Sequence, residues 1–330
     1  MNYINILDLQ PNKVSTNIKD YSFMLTAPSG FGKTPFLYEL FGKEAFFLSF
    51  DNSHKGVAGI MAVNIDSYDT LKFYVSQLKN PMVRAKYDVV VIDTLSMFDL
   101  LCEKSVTDSY GKETISDCLN YNKGYTIVDK RFLEIIKSIQ MMDYSIVYVC
   151  HPTQKKIKLP NGQEIIKMEP KVSNRVQTLI MPEIDIRLYA DYDNEGNKVI
   201  FTQSSPFFDA RCRVGEMDAV VPFNTKALRE AFAVGIDRKY EKDSLTDGLE
   251  HRNVAVNKER DFEEIMTELI SLGQELETVG MGSKAQTILD KQLGCDNDGK
   301  QRTLADVNES MKPALEVVIV ELKSLKESIA

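Results

Sequence analysis

The chain of 330 residues is poor in the features that would place it in a membrane or outside the cell. No apolar run approaches the roughly 20 residues that cross a bilayer, and the polar opening lacks the basic start and apolar centre of a signal peptide. The five cysteines are scattered without a C-x-x-C pair, and there are only three histidines. The few cysteines and histidines argue against a disulfide framework and a zinc site. Because a membrane-spanning run and a signal peptide are both missing from the sequence, we expect a cytoplasmic protein with no membrane partner.

Negative charge is concentrated at one end of the chain. Residues 241–330 contain 19 Asp and Glu against 11 Lys and Arg, which accounts for the whole net charge of −8. Residues 1–240 are therefore electrically balanced. An acidic appendage of this kind either competes with nucleic acid for a basic surface or keeps the protein soluble, and the sequence leaves both roles open.

Residues 1–236 have the rhythm of an α/β domain. Short apolar runs alternate with helical or polar stretches, which is typical of a mainly parallel central sheet. Residues 126–142 have apolar side chains at helical spacing and predict an amphipathic helix. The predicted strands are 21–26, 45–50, 89–92, 145–150, 184–189 and 199–203.

The pattern changes after this domain. Residues 237–260 are polar and without periodicity, and we interpret them as a linker. Residues 261–330 carry two apolar stripes that predict a small acidic region of two or three helices. The stripes could pack on each other, on the core domain or on a neighbouring subunit. They consist of Phe262, Ile265, Met266, Leu269, Leu272 and Leu276, and of Leu315, Val318, Ile319, Leu322, Leu325 and Ile329.

A glycine-rich segment directly after the first predicted strand is the most informative motif. It matches the phosphate-binding pattern G-x-x-x-x-G-K-[ST], except that alanine replaces the first glycine. Glycines let backbone N–H groups surround a phosphate, the lysine neutralises its charge, and the threonine hydroxyl coordinates Mg²⁺. The segment predicts an ATP and Mg²⁺ site. Its residues are Ala27, Pro28, Ser29, Gly30, Phe31, Gly32, Lys33 and Thr34, followed by Pro35 in the first helical turn.

Asp93 ends another apolar strand and supports this interpretation. An acid at the carboxyl end of a strand beside the phosphate loop is the Walker B pattern, in which the carboxylate acts on the magnesium site. We expect Asp93 to lie beside Thr34 across neighbouring strands. An aspartate at a strand end is also an ordinary turn residue.

The motifs between residues 20 and 232 resemble those of RecA-core ATPases, and more narrowly the phage-encoded group that acts in single-strand annealing and recombination. Asp93-Thr94 is similar to the end of that family's Walker B strand, and 122–125 is similar to the Gly-aromatic step before its long helix. Asp51 stands where the family carries a water-activating carboxylate, usually glutamate. His151 stands where RecA relatives place a γ-phosphate sensor. A lone histidine at a strand end is as often structural.

The resemblance also implies an arginine pair that acts on a neighbouring subunit's ATP. Arg211 and Arg213 stand two positions apart in a predicted strand, so they share a face. Such a pair stabilises charge on a transferring phosphoryl group in trans, which implies a ring or filament of identical subunits. The alternative is a surface pair that balances Glu216 and Asp218. Asp99 is a further candidate acid, with a helix-surface role as the alternative.

A basic segment at 152–175 is the candidate contact for single-stranded DNA. Its Asn-Gly step predicts a hairpin, which the resemblance places at the DNA-gripping loop of RecA-like proteins. Lysines on a hairpin bind phosphates without reading sequence, although this segment has no aromatic residue for base stacking. A charged surface hairpin is the alternative. A predicted loop over 103–123, with Tyr110, Tyr121 and Tyr125 available for stacking, ranks second because its charge is mixed. The proposed DNA contacts are Lys155, Lys156, Lys158, Lys167, Lys171 and Arg175.

Together these features predict a Mg²⁺-dependent ATPase that acts on single-stranded DNA in phage recombination or annealing, in the cytoplasm of the host. Two alternatives stay open. One is a replicative helicase motor, and the other is a nucleotide-gated scaffold whose acidic C-terminal region recruits a single-strand-binding or replication protein.

Overall fold

The computed structural model describes residues 11–119, 123–248, 262–294, 303–308 and 311–327. Two compact units divide the chain, one within 2–256 and one within 257–330. Among the described residues, no helix combines the length and the apolar character needed to span a bilayer.

In its described residues, the first unit contains thirteen strands and seven α-helices. The strands are β1 Val14–Ser15, β2 Phe23–Thr26, β3 Ala45–Ser49, β4 Ala62–Asn64, β5 Val89–Asp93, β6 Ser145–Cys150, β7 Pro152–Lys158, β8 Glu164–Pro170, β9 Ile186–Tyr192, β10 Lys198–Phe201, β11 Arg211–Cys212, β12 Val220–Pro222 and β13 Leu245–Thr246. The helices are α1 Lys33–Phe41, α2 Tyr68–Gln77, α3 Pro81–Arg84, α4 Leu95–Tyr110, α5 Lys123–Met141, α6 Asn174–Ile180 and α7 Thr225–Lys239.

The central sheet has the strand order β12-β10-β9-β2-β6-β5-β3-β4. The six strands from β9 to β4 are parallel, while β10, β12 and the short β11 pair antiparallel at one side. This arrangement confirms the predicted α/β class with a mainly parallel sheet. It has the form of a P-loop NTPase fold, in which the carboxyl ends of neighbouring parallel strands meet at one edge.

Both faces of the sheet are buried, which explains the continuous apolar runs in the sequence. In β5, Val90 and Ile92 pack on the side of α2, α4 and α5, while Val89 and Val91 pack on the side of α1 and α7. The helix predicted at 126–142 is α5, which begins one turn earlier than expected.

The predicted boundary at residue 236 needs correction. Helix α7 continues to Lys239, and β13 then pairs in parallel with β1 near the start of the described chain. Residues 237–248 therefore belong to the folded first unit because the pairing with β1 supplies partners that no local pattern reveals. The rest of the predicted linker lies outside the described residues.

The second unit consists of α8 Phe262–Thr278, α9 Gly282–Leu293 and α10 Lys312–Glu327. The two predicted stripes pack on each other and on α9, as one buried cluster. Ile329, the last residue of the second stripe, lies outside the described residues. The cluster contains Ile265, Leu269, Leu272, Leu276, Ala285, Leu289, Leu293, Leu315, Val318, Ile319 and Leu322.

Candidate functional site

The glycine-rich loop connects β2 to α1, at the carboxyl edge of the sheet. Gly30 and Gly32 have φ angles of 72° and 103°, in the left-handed region that side chains with a Cβ rarely adopt. A Cβ at either position would meet no atom within 4 Å, so the backbone conformation and not crowding requires glycine there. Ala27 lies outside the left-handed region and is fully buried, so alanine replaces the usual glycine without strain.

Lys33 points back across this loop. Its Nζ donates hydrogen bonds to the carbonyl oxygens of Ala27 and Pro28, both at 2.9 Å, and lies 3.2 Å from Nδ1 of His151. Among the described residues, no carboxylate forms an ion pair with it. Burial lowers the pKa of this ammonium, although the charge of Asp93 acts in the opposite direction. A buried cation held only by neutral groups is suited to receive an anionic ligand.

Thr34 and Asp93 meet, but not across neighbouring strands as predicted, because β6 lies between β2 and β5. The Thr34 hydroxyl donates a 2.7 Å hydrogen bond to Oδ2 of Asp93, and the Ser53 hydroxyl donates another of 2.7 Å to the same oxygen. Asp93 is only 1% exposed. Burial raises the pKa of its carboxyl, and the two hydroxyl groups partly oppose that effect.

The hydroxyl groups of Thr34 and Ser53 and the carboxylate of Asp93 are hard oxygen donors of the kind that Mg²⁺ prefers. Within the part of the chain that the structure describes, no group of three or more His, Cys, Asp or Glu is arranged to hold a metal by itself. The donors Thr34 and Asp93 therefore fit a magnesium ion that takes its remaining ligands from water and a phosphate, and not one enclosed by protein.

Asp51 lies just beyond the end of β3 and is exposed. One of its carboxylate oxygens accepts a 3.0 Å hydrogen bond from the backbone N–H of Ser53. Ser53 also contacts Asp93, so Asp51 lies at the same edge of the sheet as Asp93, Lys33 and His151, and its charge acts on all three.

His151 joins this site to the basic segment. Burial, followed by the facing charge of Lys33, lowers the pKa of its imidazole. The neutral ring presents Nδ1 as the acceptor for Lys33. The backbone of His151 continues into β7, and its carbonyl accepts a 2.7 Å hydrogen bond from the N–H of Lys171 at the far end of the hairpin.

Sequence reasoning missed two residues of the site. Ser53 contacts Asp93, and its only signal is its place two residues after Asp51. Lys198 donates a 2.8 Å hydrogen bond to the carbonyl of Phe31 and lies 4.8 Å above that ring. Lys198 is 167 residues away along the chain, so no local pattern could indicate it.

Arg211 and Arg213 lie away from this chain's own phosphate loop. Strand β11 pairs with the beginning of β9, whereas the loop follows the carboxyl end of β2. Arg213 donates to the carbonyl of Pro182 and is 4.0 Å from Asp185. Asp218, one of the two acids that the surface-pair alternative assigned to these arginines, instead binds Arg238. A role of the arginine pair in a neighbouring subunit stays a prediction.

Comparison with protein families decides the class of this domain. The family described as AAA domain matches residues 19–214. The chain belongs to the AAA domain family. The matched part of this AAA domain begins before β2 and ends after β11, so it contains the glycine-rich loop, Asp51, Asp93 and His151. The match indicates a nucleotide-binding domain of the P-loop ATPase type.

A curated relative is similar along nearly the whole chain. It is the SPbeta prophage-derived uncharacterized protein YorG of Bacillus subtilis strain 168. The two sequences are 22% identical over 337 residues, which cover 98% of this chain and 98% of the relative. The similarity therefore extends beyond the AAA domain into the C-terminal helices.

The basic segment forms the predicted hairpin. Strands β7 and β8 pair antiparallel from Pro152–Pro170 to Lys158–Glu164, with the Asn-Gly step in the turn. Lys167 is half-buried and forms an ion pair with Glu169. The exposed lysines are Lys155, Lys156, Lys158 and Lys171.

Arg175 does not fit its predicted role as a phosphate contact. It lies at the start of α6, and its guanidinium binds Asp99 and, at 2.8 Å, Asp129. Its side chain is 15% exposed. Asp99 is likewise buried, not on the helix surface as its alternative role required. The two residues are structural partners because each supplies an opposite charge that offsets the cost of burying the other.

The second candidate DNA contact is partly described. Residues 103–110 are not a loop as predicted, because α4 continues to Tyr110, and Tyr125 lies in α5. Tyr110 and Tyr125 are 41% and 40% exposed. Tyr121 lies outside the described residues.

Proposed function

We propose that this chain is a Mg²⁺-dependent ATPase with a RecA-like core that acts on single-stranded DNA during phage recombination or annealing. One observation carries the proposal: the buried Lys33 ammonium contacts His151, the residue from which the lysine hairpin emerges. The prophage origin of the similar protein supports the phage setting.

The residues of the loop have distinct roles in this proposal. Backbone N–H groups of the loop and the Lys33 ammonium bind the oxygens of the triphosphate. Thr34 and Asp93 would hold a magnesium ion, which when bound neutralises part of the phosphate charge. Asp51 accepts the proton of the attacking water. This carboxylate is one methylene shorter than the usual glutamate, so we expect slow hydrolysis.

Coupling to DNA follows from His151. When a γ-phosphate draws the Lys33 ammonium, the imidazole loses its present partner, and the shift is transmitted to the strand that begins one residue later. The ammonium has three donors, of which the carbonyls of Ala27 and Pro28 use two. The hairpin lysines bind DNA phosphates, and Arg211 and Arg213 complete the site of the next subunit in a homo-oligomer.

ATP turnover with and without single-stranded DNA tests the proposal. We expect DNA to raise turnover by the wild type, and Lys33→Ala to abolish turnover in both conditions. The matched control is Lys43→Ala, because Lys43 follows α1 on the surface. Turnover that DNA leaves unchanged would contradict the DNA-dependent activity.

Two further readouts separate the alternatives. Directional unwinding of a duplex would indicate a helicase motor. Recruitment of a replication or single-strand-binding protein that is equal for the wild type and Lys33→Ala, with and without ATP, would indicate a passive scaffold.

A further inference from the structure

The hairpin β7–β8 supplies lysines but contains no aromatic residue. Proteins that hold single strands combine phosphate contacts with aromatic side chains on which bases stack. The fold brings such a side chain next to the hairpin from a distant part of the sequence. Phe207 lies between β10 and β11, and its ring is 56% exposed.

Backbone hydrogen bonds fix Phe207 beside the hairpin. The N–H of Met168 in β8 donates to the carbonyl of Phe207 at 2.6 Å, and the N–H of Asp209 donates to the carbonyl of Met168 at 3.3 Å. Met168 and Phe208 form a parallel bridge. Phe208 is therefore held against β8 by a single bridge, and Phe207 is the turn residue directly before it.

This register aligns Phe207 with two lysines. Lys155 lies opposite Lys167 in the hairpin. Since Met168 is paired with Phe208, the preceding residues Lys167 and Phe207 are also neighbours. The backbone of Phe207 therefore lies beside the position in the hairpin where Lys155 and Lys167 are paired.

The backbone of Phe207 is fixed on both sides, and the residue is exposed. The ring of the next residue, Phe208, stacks on Tyr189 with centroids 5.1 Å apart and packs at a tilt against Phe201 with centroids 4.4 Å apart. The N–H of Phe207 donates a 3.1 Å hydrogen bond to Oγ of Ser205. Because the backbone is already fixed, only the side chain of Phe207 is ordered when a base stacks on it.

Charge on this face suits a polyanion. Glu169, two residues after Lys167 in β8, contacts Lys155 at 3.1 Å and Lys167 at 3.4 Å. Its side chain is 14% exposed, while that of Lys155 is 52% exposed. The glutamate orients the ammonium groups, which keep donors free for phosphates on the outer side.

We propose that Phe207 is the base-stacking residue of a single-stranded DNA surface whose phosphate contacts include Lys155 and Lys167. This inference rests on the proposed DNA-binding role of the hairpin. It adds the aromatic stacking contact that the hairpin itself cannot supply, because the hairpin contains no aromatic residue.

The chain has no tryptophan, so Phe207→Trp introduces a single fluorescent reporter at the proposed contact. We expect oligo(dT) to quench this fluorescence saturably at low salt and salt to reverse the quenching. The matched control is Phe73→Trp, because Phe73 on α2 is 58% exposed. We expect no quenching of the control.

Affinity gives an independent readout. We expect Phe207→Ala to weaken oligo(dT) binding about tenfold, with an unchanged slope of affinity against salt, because a stacked ring releases no counterions. Phe73→Ala should bind as the wild type does. Thermal melting of both variants checks folding, since both side chains are more than half exposed.

The outcomes separate this inference from the proposed function. If the wild type binds oligo(dT) and Phe207→Ala binds equally well, the stacking role is wrong and the DNA-binding function stands. If the wild type does not bind oligo(dT) at low salt, both are wrong. A tenfold preference for oligo(U) would overturn the assignment of this surface to DNA.

Discussion

The Lys33 ammonium lies 3.2 Å from Nδ1 of His151, where the phosphate loop meets the strand that leads into the lysine hairpin. The contact joins a cation with a lowered pKa to an imidazole with a lowered pKa. Both groups are held in this state mainly by burial. A bound phosphate would compete for the same ammonium, so this pair connects nucleotide binding to the hairpin.

The connection predicts that His151→Ala separates ATP binding from DNA binding. We expect the variant to bind ATP within about threefold of the wild type, because Lys33 keeps its two carbonyl contacts. Stimulation of turnover by single-stranded DNA should be lost. The measurements are nucleotide affinity and turnover over a DNA titration. Retained stimulation would show that the signal bypasses His151.

The same pair predicts how stability responds to acid. Since the pKa of His151 is lower in the folded chain than its ordinary value near 6.5, the unfolded chain binds a proton first as the pH falls. His151 therefore makes the protein less stable as the pH falls through that value. Between about pH 7 and about pH 5, we expect the wild type to lose more stability than His151→Gln in urea melts. Equal losses would contradict the lowered pKa.

Two buried aspartates should respond oppositely to the same substitution. The raised pKa of Asp93 means that its charge is disfavoured in the folded chain at neutral pH, so Asp93→Asn should leave the melting temperature unchanged or higher. Asp99 instead binds Arg175, and Asp99→Asn should cost about 1–3 kcal/mol of unfolding free energy.

ATP turnover should rank the two variants the other way round from stability. Asp93→Asn should lower Mg²⁺-dependent turnover at least about 100-fold, whereas Asp99→Asn should keep most of it below its melting temperature. A variant of Asp93 that melts early but hydrolyses ATP normally would assign this residue a structural role.

The contiguous motifs were predictable because chemistry and position coincide in the sequence. Gly30, Gly32 and Lys33 lie in one short loop. The position of Asp93 near that loop was predictable because the carboxyl ends of parallel strands meet at one edge of the sheet. Partners far apart in the chain were not predictable. Asp99 and Arg175 are 76 residues apart, and their contact depends on how α4 and α6 pack. A charge count therefore placed Arg175 among the DNA contacts, although its charge is already compensated.

The difference between Arg175 and the exposed lysines can be measured through salt. Lys156 is exposed, and its replacement by glutamine should remove one phosphate contact. For a single strand, this change should lower the slope of log affinity against log salt by about 0.7. Arg175→Gln should leave the slope unchanged, because its guanidinium is bound to Asp99 and Asp129.

Stability supplies the control for this comparison. Arg175→Gln leaves two carboxylates without their partner and should lower the melting temperature by several degrees, while Lys156→Gln should leave it unchanged. Binding is therefore measured well below the melting temperature of Arg175→Gln. A reduced salt slope in that variant would return Arg175 to the DNA surface and would require its ion pairs to open on binding.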